Sequence, residues 1–148
     1  MRNMQSLKGR IFMTSEEKNE YDPEEYFVTS DEKDVYNPKE KERIKSEIIH
    51  LIRKYHSVTF PQLNRKIEKF KGNREMGLLE HNIIFWAGLS KEAIVAINEL
   101  EQEKFFRFED SDILIYGLDG EILTYPIAKQ HRKYKKPRWA PVMLVLND

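Results

Sequence analysis

The chain has 148 residues, and its 25 basic and 25 acidic side chains give a formal net charge of zero. This length is typical of one domain with an additional arm, and the absence of cysteine excludes a disulfide framework, a thiolate zinc site and a cysteine nucleophile. No apolar run approaches the roughly 20 residues of a membrane span, and no secretory apolar core follows the first basic residues, so we expect a cytoplasmic protein without a membrane partner.

The zero net charge conceals four blocks of alternating sign. Residues 1–38 hold 5 basic and 9 acidic side chains, residues 39–75 hold 11 and 5, residues 76–122 hold 3 and 10, and residues 123–148 hold 6 and 1. Blocks of this size indicate where partners of either sign could bind, although they say nothing about the fold.

The first 36 residues are predicted to form an acidic, mostly flexible arm, because acids, Ser, Thr and Pro23 are frequent and no periodicity is sustained. Two short apolar patches interrupt this arm, Ile11-Phe12-Met13 and Tyr26-Phe27-Val28. Either patch could pack on the folded domain or extend the edge of a sheet. The arm could also cover a basic face of the domain and so mask it.

Two helices are predicted next. Asn37 is a suitable N-cap, Pro38 suits the first helical position and Glu40 would complete a capping box, so the first helix is predicted over residues 38–55. Thr59 is the predicted N-cap of a second helix that ends at Gly72. The apolar run within residues 75–89 fits a short helix, a buried strand or both, and periodicity does not separate these alternatives.

A third helix and several strands complete the predicted elements. Ser90 is the predicted N-cap of the third helix, which ends near residues 102–104 and whose inner stripe comprises Ala93, Ile94, Ile97 and Leu100. Two β-rich runs, at residues 105–108 and 113–116, flank a polar turn and predict a β-hairpin. Residues 122–125 could add a short strand, and residues 139–146 are predicted to form a buried C-terminal strand.

Three helices followed by a hairpin, over residues 37–125, resemble the winged-helix form of the helix-turn-helix superfamily. Residues 88–100 resemble its turn and recognition helix, and residues 105–108 resemble its first wing strand. The expected fold is therefore α+β, a winged-helix-like three-helix core with a C-terminal β-hairpin (the wing) and an extra C-terminal strand. Residues 126–148, a basic segment and that strand, are expected to pack on the domain.

The resemblance implies that the third helix enters the major groove of duplex DNA. A helical wheel turns Lys91, Val95, Asn98 and Gln102 outward, and Lys, Asn and Gln suit the edges of guanine and adenine. The same helix also carries or adjoins Glu92, Glu99, Glu101 and Glu103, which phosphates would repel. An ordinary solvated helix face is thus the alternative to base contact.

Two basic regions give a second indication of DNA binding, because dense flexible cations neutralise phosphates. The first comprises Arg65, Lys66, Lys69, Lys71 and Arg74. The second comprises Lys129, Arg132, Lys133, Lys135, Lys136 and Arg138, interleaved with His131, Tyr134 and Trp139. The sequence leaves open whether the two regions share one face of the protein.

Catalytic motifs are not evident. The four histidines lack metal-ligand spacing, and the chain has no phosphate-binding glycine loop and no nucleophile elbow, so we expect no enzyme activity, no cofactor and no metal. The sequence predicts a non-enzymatic DNA-binding protein, a small transcriptional regulator or a mobile-element or replication accessory factor. The alternative is a winged-helix protein-protein interaction module that uses the acidic third helix and wing without binding DNA. In either case the resemblance implies that a homodimer is a common arrangement.

Overall fold

A computed structural model describes residues 35–130 and 132–148. The elements in chain order are α1 (Pro38–Tyr55), β1 (Ser57–Val58), α2 (Phe60–Lys66), β2 (Lys71–Leu78), β3 (Ile83–Leu89), α3 (Lys91–Gln102), β4 (Phe106–Asp110), α4 (Ile113–Asp119), β5 (Arg138–Trp139) and β6 (Val142–Leu146). The predicted α+β class is confirmed. The apolar patches at residues 11–13 and 26–28, and most of the predicted arm, lie outside the described residues.

The strands of the described residues form two three-stranded sheets. In the first sheet β6 lies between β1 and β4 and is antiparallel to both, with Ser57 opposite Val145 and Phe106 opposite Leu146. In the second sheet β2 and β3 form an antiparallel hairpin, and β5 pairs with β3 in parallel. The last strand, β6, therefore completes the first sheet. The pairing of β5 with β3 attaches the segment between α4 and β5 to the β2–β3 hairpin.

The predicted helix starts are confirmed, and the caps differ in detail. The Asn37 side chain accepts hydrogen bonds from the backbone N–H groups of Lys39 and Glu40. The predicted capping box with Glu40 is wrong, because the Glu40 carboxylate binds Arg43 instead. The Asn37 backbone N–H donates to Glu92 of α3 at 2.8 Å, so the start of α1 is tied to α3. A complete capping box does form at α2, between Thr59 and Gln62.

The open question of residues 75–89 is answered by the β2–β3 hairpin, whose strands are joined by a 3₁₀ turn at Leu79–His81. The second helix is shorter than predicted, because it ends at Lys66 and β2 begins at Lys71. Gly72 makes this early strand start possible: a Cβ there would lie 2.5 Å from the Leu89 carbonyl oxygen of β3. The backbones of the two strands are thus too close for a side chain.

The predicted hairpin at residues 105–116 is wrong in its second half. Residues 106–110 do form a strand, β4, but residues 113–119 form the helix α4 and the partner of β4 is β6. The Asp112 side chain accepts from the Leu114 N–H and caps α4, and Gly120 ends it in the left-handed conformation at φ 90°. Residues 122–125 contain no strand. The predicted C-terminal strand is confirmed as β5 and β6, interrupted at residues 140–141.

The core contains a cluster of large aromatic side chains contributed by four elements. The Trp86 ring lies 5.9 Å from Phe60, 5.5 Å from Tyr116 and 6.1 Å from Trp139, measured between centroids. The Trp139 indole N–H donates to the Phe85 carbonyl at 3.1 Å, and the Tyr116 hydroxyl donates to the Val142 carbonyl at 2.6 Å. This cluster joins α4 and both sheets into one core.

Burial of the Tyr116 hydroxyl predicts alkaline lability. Burial raises the pKa of this group above its ordinary value of 10.0. The folded state therefore retains a proton that the unfolded state releases above pH 10, and the free energy of unfolding falls with rising pH by up to about 1.4 kcal/mol per pH unit for this group. We expect Tyr116→Phe to lower stability by about 1 kcal/mol at pH 7, because a hydrogen bond is removed, but to flatten the decline above pH 10.

The measurement is urea unfolding at several pH values between 7 and 11. Tyr55→Phe, at an exposed tyrosine, is the control and should leave the alkaline decline as it is in the parent chain. A decline as steep in Tyr116→Phe as in the parent would contradict the prediction.

Candidate nucleic-acid interface

The third helix does not present the predicted base-reading face. Lys91 is only 5% exposed and Val95 only 2%, so the prediction that both point outward is wrong. The reason is that α3 packs against β2 as well as against α1 and β4, which covers more of its circumference than one stripe. Of the four predicted positions, Asn98 is half-buried and Gln102 is exposed. The Lys91 ammonium lies 5.9 Å from the ring centroid of Tyr36.

The acidic side chains of α3 bind cations of α1. Glu99 forms ion pairs with Lys41 and Lys45, each at 3.0 Å, and Glu103 pairs with Lys45 at 2.9 Å. Burial alone would lower the pKa of Lys41, but its hydrogen bonds to Glu42 and Glu99 raise that pKa above its ordinary value. The positive block of residues 39–75 and the negative block of residues 76–122 therefore offset each other in part along the α1–α3 contact.

The first basic region, residues 65–74, is spread over the end of α2, the following turn and the start of β2. Arg65 donates to the Asp119 carbonyl at 2.7 Å, and the Lys66 ammonium lies 5.8 Å from the Tyr55 ring centroid. Lys69 and Lys71 are exposed, and Arg74 is half-buried. Arg65 and Lys66 thus already have intramolecular contacts.

The second basic region forms a loop, residues 129–138, which we call the basic loop. Its base is closed by two backbone hydrogen bonds, from Ala128 N–H to the Trp139 carbonyl at 2.8 Å and from Trp139 N–H to the Pro126 carbonyl at 2.7 Å. Because Trp139 is completely buried, both ends of the loop are fixed to the core.

The middle of the basic loop is fixed to the turn of the β2–β3 hairpin. The Tyr134 N–H donates to the His81 carbonyl at 3.0 Å, and the Asn82 side chain donates to the Tyr134 carbonyl at 2.8 Å. The Arg138 N–H donates to the Asn82 carbonyl at 2.8 Å. Sequence reasoning did not identify His81 or Asn82 as anchors, because contacts across more than 50 residues have no local signal.

Within the basic loop, Tyr134 organises two arginines. The guanidinium carbons of Arg132 and Arg138 lie 4.8 and 4.9 Å from the Tyr134 ring centroid, within the range of cation–π contacts. The Tyr134 hydroxyl in turn bonds the backbone of Gln130, as donor at 2.8 Å and acceptor at 3.0 Å. A planar group that stacks on an aromatic ring keeps its N–H donors available for phosphate oxygens.

Most cations of the basic loop face solvent. The exposed members are Lys129, Arg132, Lys133, Lys135 and Lys136, and Arg138 is half-buried. Within residues 35–130 and 132–148, no ion pair joins any of the six to a carboxylate. The cations of α1 that pair with Glu99 and Glu103 differ in this respect, so the basic loop is the stronger local source of positive potential.

The two basic regions lie toward opposite ends of the β2–β3 hairpin. Lys71 and Arg74 belong to its open end, opposite Leu89, whereas the basic loop is bonded to His81 and Asn82 at its turn. At about 3.3 Å per residue, the six residue steps of β3 from Leu89 to Ile83 separate the two ends by about 20 Å. Lys71 and Arg74 are therefore not part of the cluster of cations in the basic loop.

Other kinds of site find no support in the described part of the chain. It contains no group of three or more His, Asp or Glu side chains arranged to hold a metal ion, and none of its helices combines the length and apolarity needed to cross a membrane. Comparison of the whole chain with protein-family models, with curated proteins and with solved structures finds no match.

Proposed function

We propose that this protein is a non-enzymatic DNA-binding protein whose basic loop contacts the phosphate backbone of a duplex. The observation that carries the proposal is the group of five exposed cations in a loop fixed at its base and at its middle, without carboxylate partners among the described residues. Such cations displace the counterions of DNA, and this term supplies most sequence-independent affinity.

The fixed geometry of the basic loop favours phosphate binding in addition to its positive charge. Cations held on an ordered loop lose less conformational entropy on binding than cations on a mobile chain. Arg132 is oriented by Tyr134, and a guanidinium can bind phosphate oxygens with two parallel hydrogen bonds. The loop is thus suited to position the protein on a duplex, whereas base contacts would have to come from other residues.

The order of the elements supports a winged-helix-like reading of the domain. The helices α1, α2 and α3 precede β4, and β4 pairs with the later strand β6 in an antiparallel sheet completed by β1. The segment between β4 and β6, which corresponds to the wing in this reading, includes both α4 and the basic loop. The β2–β3 hairpin between α2 and α3 departs from the simple outline. In this proposal the wing, rather than the third helix, makes the principal DNA contact.

The proposal predicts a change in salt dependence when cations of the basic loop are replaced. We expect Lys133→Ala combined with Lys136→Ala to weaken binding to duplexes of any sequence. The slope of log K against log salt should become shallower by up to about 0.9 for each phosphate that the variant no longer neutralises. Fluorescence anisotropy with a labelled duplex, titrated at several salt concentrations, measures both quantities.

A matched control removes two exposed lysines from α1, Lys39→Ala combined with Lys54→Ala, and changes the net charge equally. This control should retain the slope of the parent chain, because the effect is local to the basic loop. Equal losses of affinity in the two double variants would show that binding depends on net charge and not on the basic loop. Absence of duplex binding by the parent chain at low salt would refute the proposal.

The alternative of a protein-interaction module on the acidic third helix has less support. Glu99 and Glu103 are engaged by α1, and Glu92 accepts from the Asn37 backbone. These three carboxylates already have partners within the chain, so less of the acidic charge of α3 is available to bind another protein.

A further inference from the structure

The short helix α4 has an apolar face that points away from the core. Tyr116 is its single buried residue, and Leu114 and Leu118 lie one turn apart on the opposite side, 70% and 88% exposed. Ile113, Ile115 and the nearby Ile122 are exposed as well. We call these five side chains the α4 face.

The size of the α4 face indicates a binding surface. If a fully exposed leucine or isoleucine residue presents about 200 Å², the five residues together expose about 600 Å², which is the upper end of the range for the largest apolar patch of a typical monomer. No described residue covers Leu114 or Leu118, so burial of the face is left to another segment or molecule.

The charges around the α4 face restrict what can bind it. Residues 109–121 contain five acids, Glu109, Asp110, Asp112, Asp119 and Glu121, and no lysine or arginine. Arg65 offsets part of this charge through its contacts with Asp119, and Arg107 offsets another part through its ion pair with Glu109, so the rim keeps a smaller net negative charge. An apolar face with an acidic rim fits an apolar segment flanked by cations, and it disfavours contact with a second acidic rim.

The chain contains such a segment at residues 1–13. It carries Arg2, Lys8 and Arg10 with no acid, and its apolar residues are Met1, Met4, Leu7, Ile11, Phe12 and Met13. Residues 14–34 have the opposite character, with 9 acids and 2 bases. The patch Tyr26-Phe27-Val28 lies within this acidic stretch, so the rim of the α4 face would repel it.

We propose that residues 1–13 bind the α4 face of the same chain, with Ile11, Phe12 and Met13 as apolar anchors. The 21 intervening residues, 14–34, span at most about 70 Å, whereas a domain of this size has a radius of gyration of only about 13 Å. The tether therefore reaches α4 from the start of the described chain, and an intramolecular contact needs only modest intrinsic affinity. This proposal does not depend on DNA binding.

Paramagnetic relaxation in the full chain tests the contact, because a chain without cysteine accepts one labelled cysteine at a chosen position. A nitroxide attached through Gly9→Cys should remove most of the intensity of the α4 amide signals. Leu118→Glu should restore these signals, and so should Ile11→Glu combined with Phe12→Glu. Added salt should restore them in part. Because Leu118 is 88% exposed, its substitution leaves the core intact, which thermal unfolding verifies.

The matched control is Tyr26→Glu combined with Phe27→Glu, which alters the other apolar patch and should leave the signal loss unchanged. A mixture of nitroxide-labelled chain with isotope-labelled chain distinguishes a second copy, because only contact between molecules broadens signals there. Broadening of α4 in the mixture equal to that within one chain would overturn the proposal, and so would full α4 intensity in the labelled parent chain.

Discussion

Replacing Trp139 by alanine is expected to lower the free energy of unfolding by about 3–5 kcal/mol, the range for truncating a buried large aromatic side chain. Trp139 is completely buried, its ring lies 5.2 Å from Tyr116 and 6.1 Å from Trp86, and its indole N–H is bonded to Phe85. Because small domains are stable by only about 5–15 kcal/mol, the variant should be close to the limit of folding. Urea unfolding followed by far-UV circular dichroism measures the change.

The same substitution should loosen the basic loop, since the Trp139 backbone closes its base. Trp139→Phe keeps a buried ring without the indole donor, and we expect its stability to be intermediate. Val35→Ala, at an exposed apolar side chain outside the helices and strands, should change stability by no more than about 0.5 kcal/mol. A decrease of less than about 1 kcal/mol in Trp139→Ala would show that the aromatic cluster is not the main contributor to the core.

The predictable parts of the fold are those whose signals are local. Asn37, Thr59 and Ser90 mark the starts of three helices, because a cap acts within three residues of its own position. The strand at residues 106–110 is equally visible from its alternating apolar pattern. Strand partners depend on contacts between distant residues, so the pairing of β4 with β6 across the whole inserted segment has no such signal.

The helix α4 shows how a local signal can mislead. Its residues Ile113 to Tyr116 have high β-propensity, which favours a strand, yet Asp112 and Gly120 are a typical N-cap and C-terminal glycine. Both capping residues are visible in the sequence, and they contradict the β-propensity of the short run between them. Capping is the better guide for a short run, because β-propensity measures mainly the fit to a partner strand.

The candidate site is predictable in composition and not in arrangement. The six cations of residues 129–138 can be read from the sequence, as can the packing of the following strand on the domain, but the anchors at His81 and Asn82 cannot. The burial of Lys91 and Val95 also cannot be predicted from the sequence, because a helical wheel shows which residues share a face of the helix but not how many faces are covered by other elements.

Replacing Gly77 by alanine should destabilise the protein by about 3 kcal/mol or more, because strain and overpacking coincide there. Gly77 has φ 156°, and a Cβ at this position would lie 2.4 Å from the Ile83 carbonyl oxygen and 2.7 Å from the Phe85 nitrogen. Both are backbone atoms of the paired strand β3, which cannot move without breaking the hairpin. The pairing is already irregular here, since Met76 is opposite Trp86 and Gly77 opposite Ile84.

Gly117 supplies a control with the same chemical change. It lies within α4, is exposed, and a Cβ there would meet nothing within 4 Å. Gly117→Ala should therefore stabilise the protein by about 0.4–1 kcal/mol, because alanine reduces the conformational entropy of the unfolded chain. Urea unfolding of the two variants should give changes of opposite sign. A Gly77→Ala variant as stable as the parent would contradict the prediction, because it would mean that β2 and β3 are farther apart than the hairpin described above, to whose turn the basic loop is bonded.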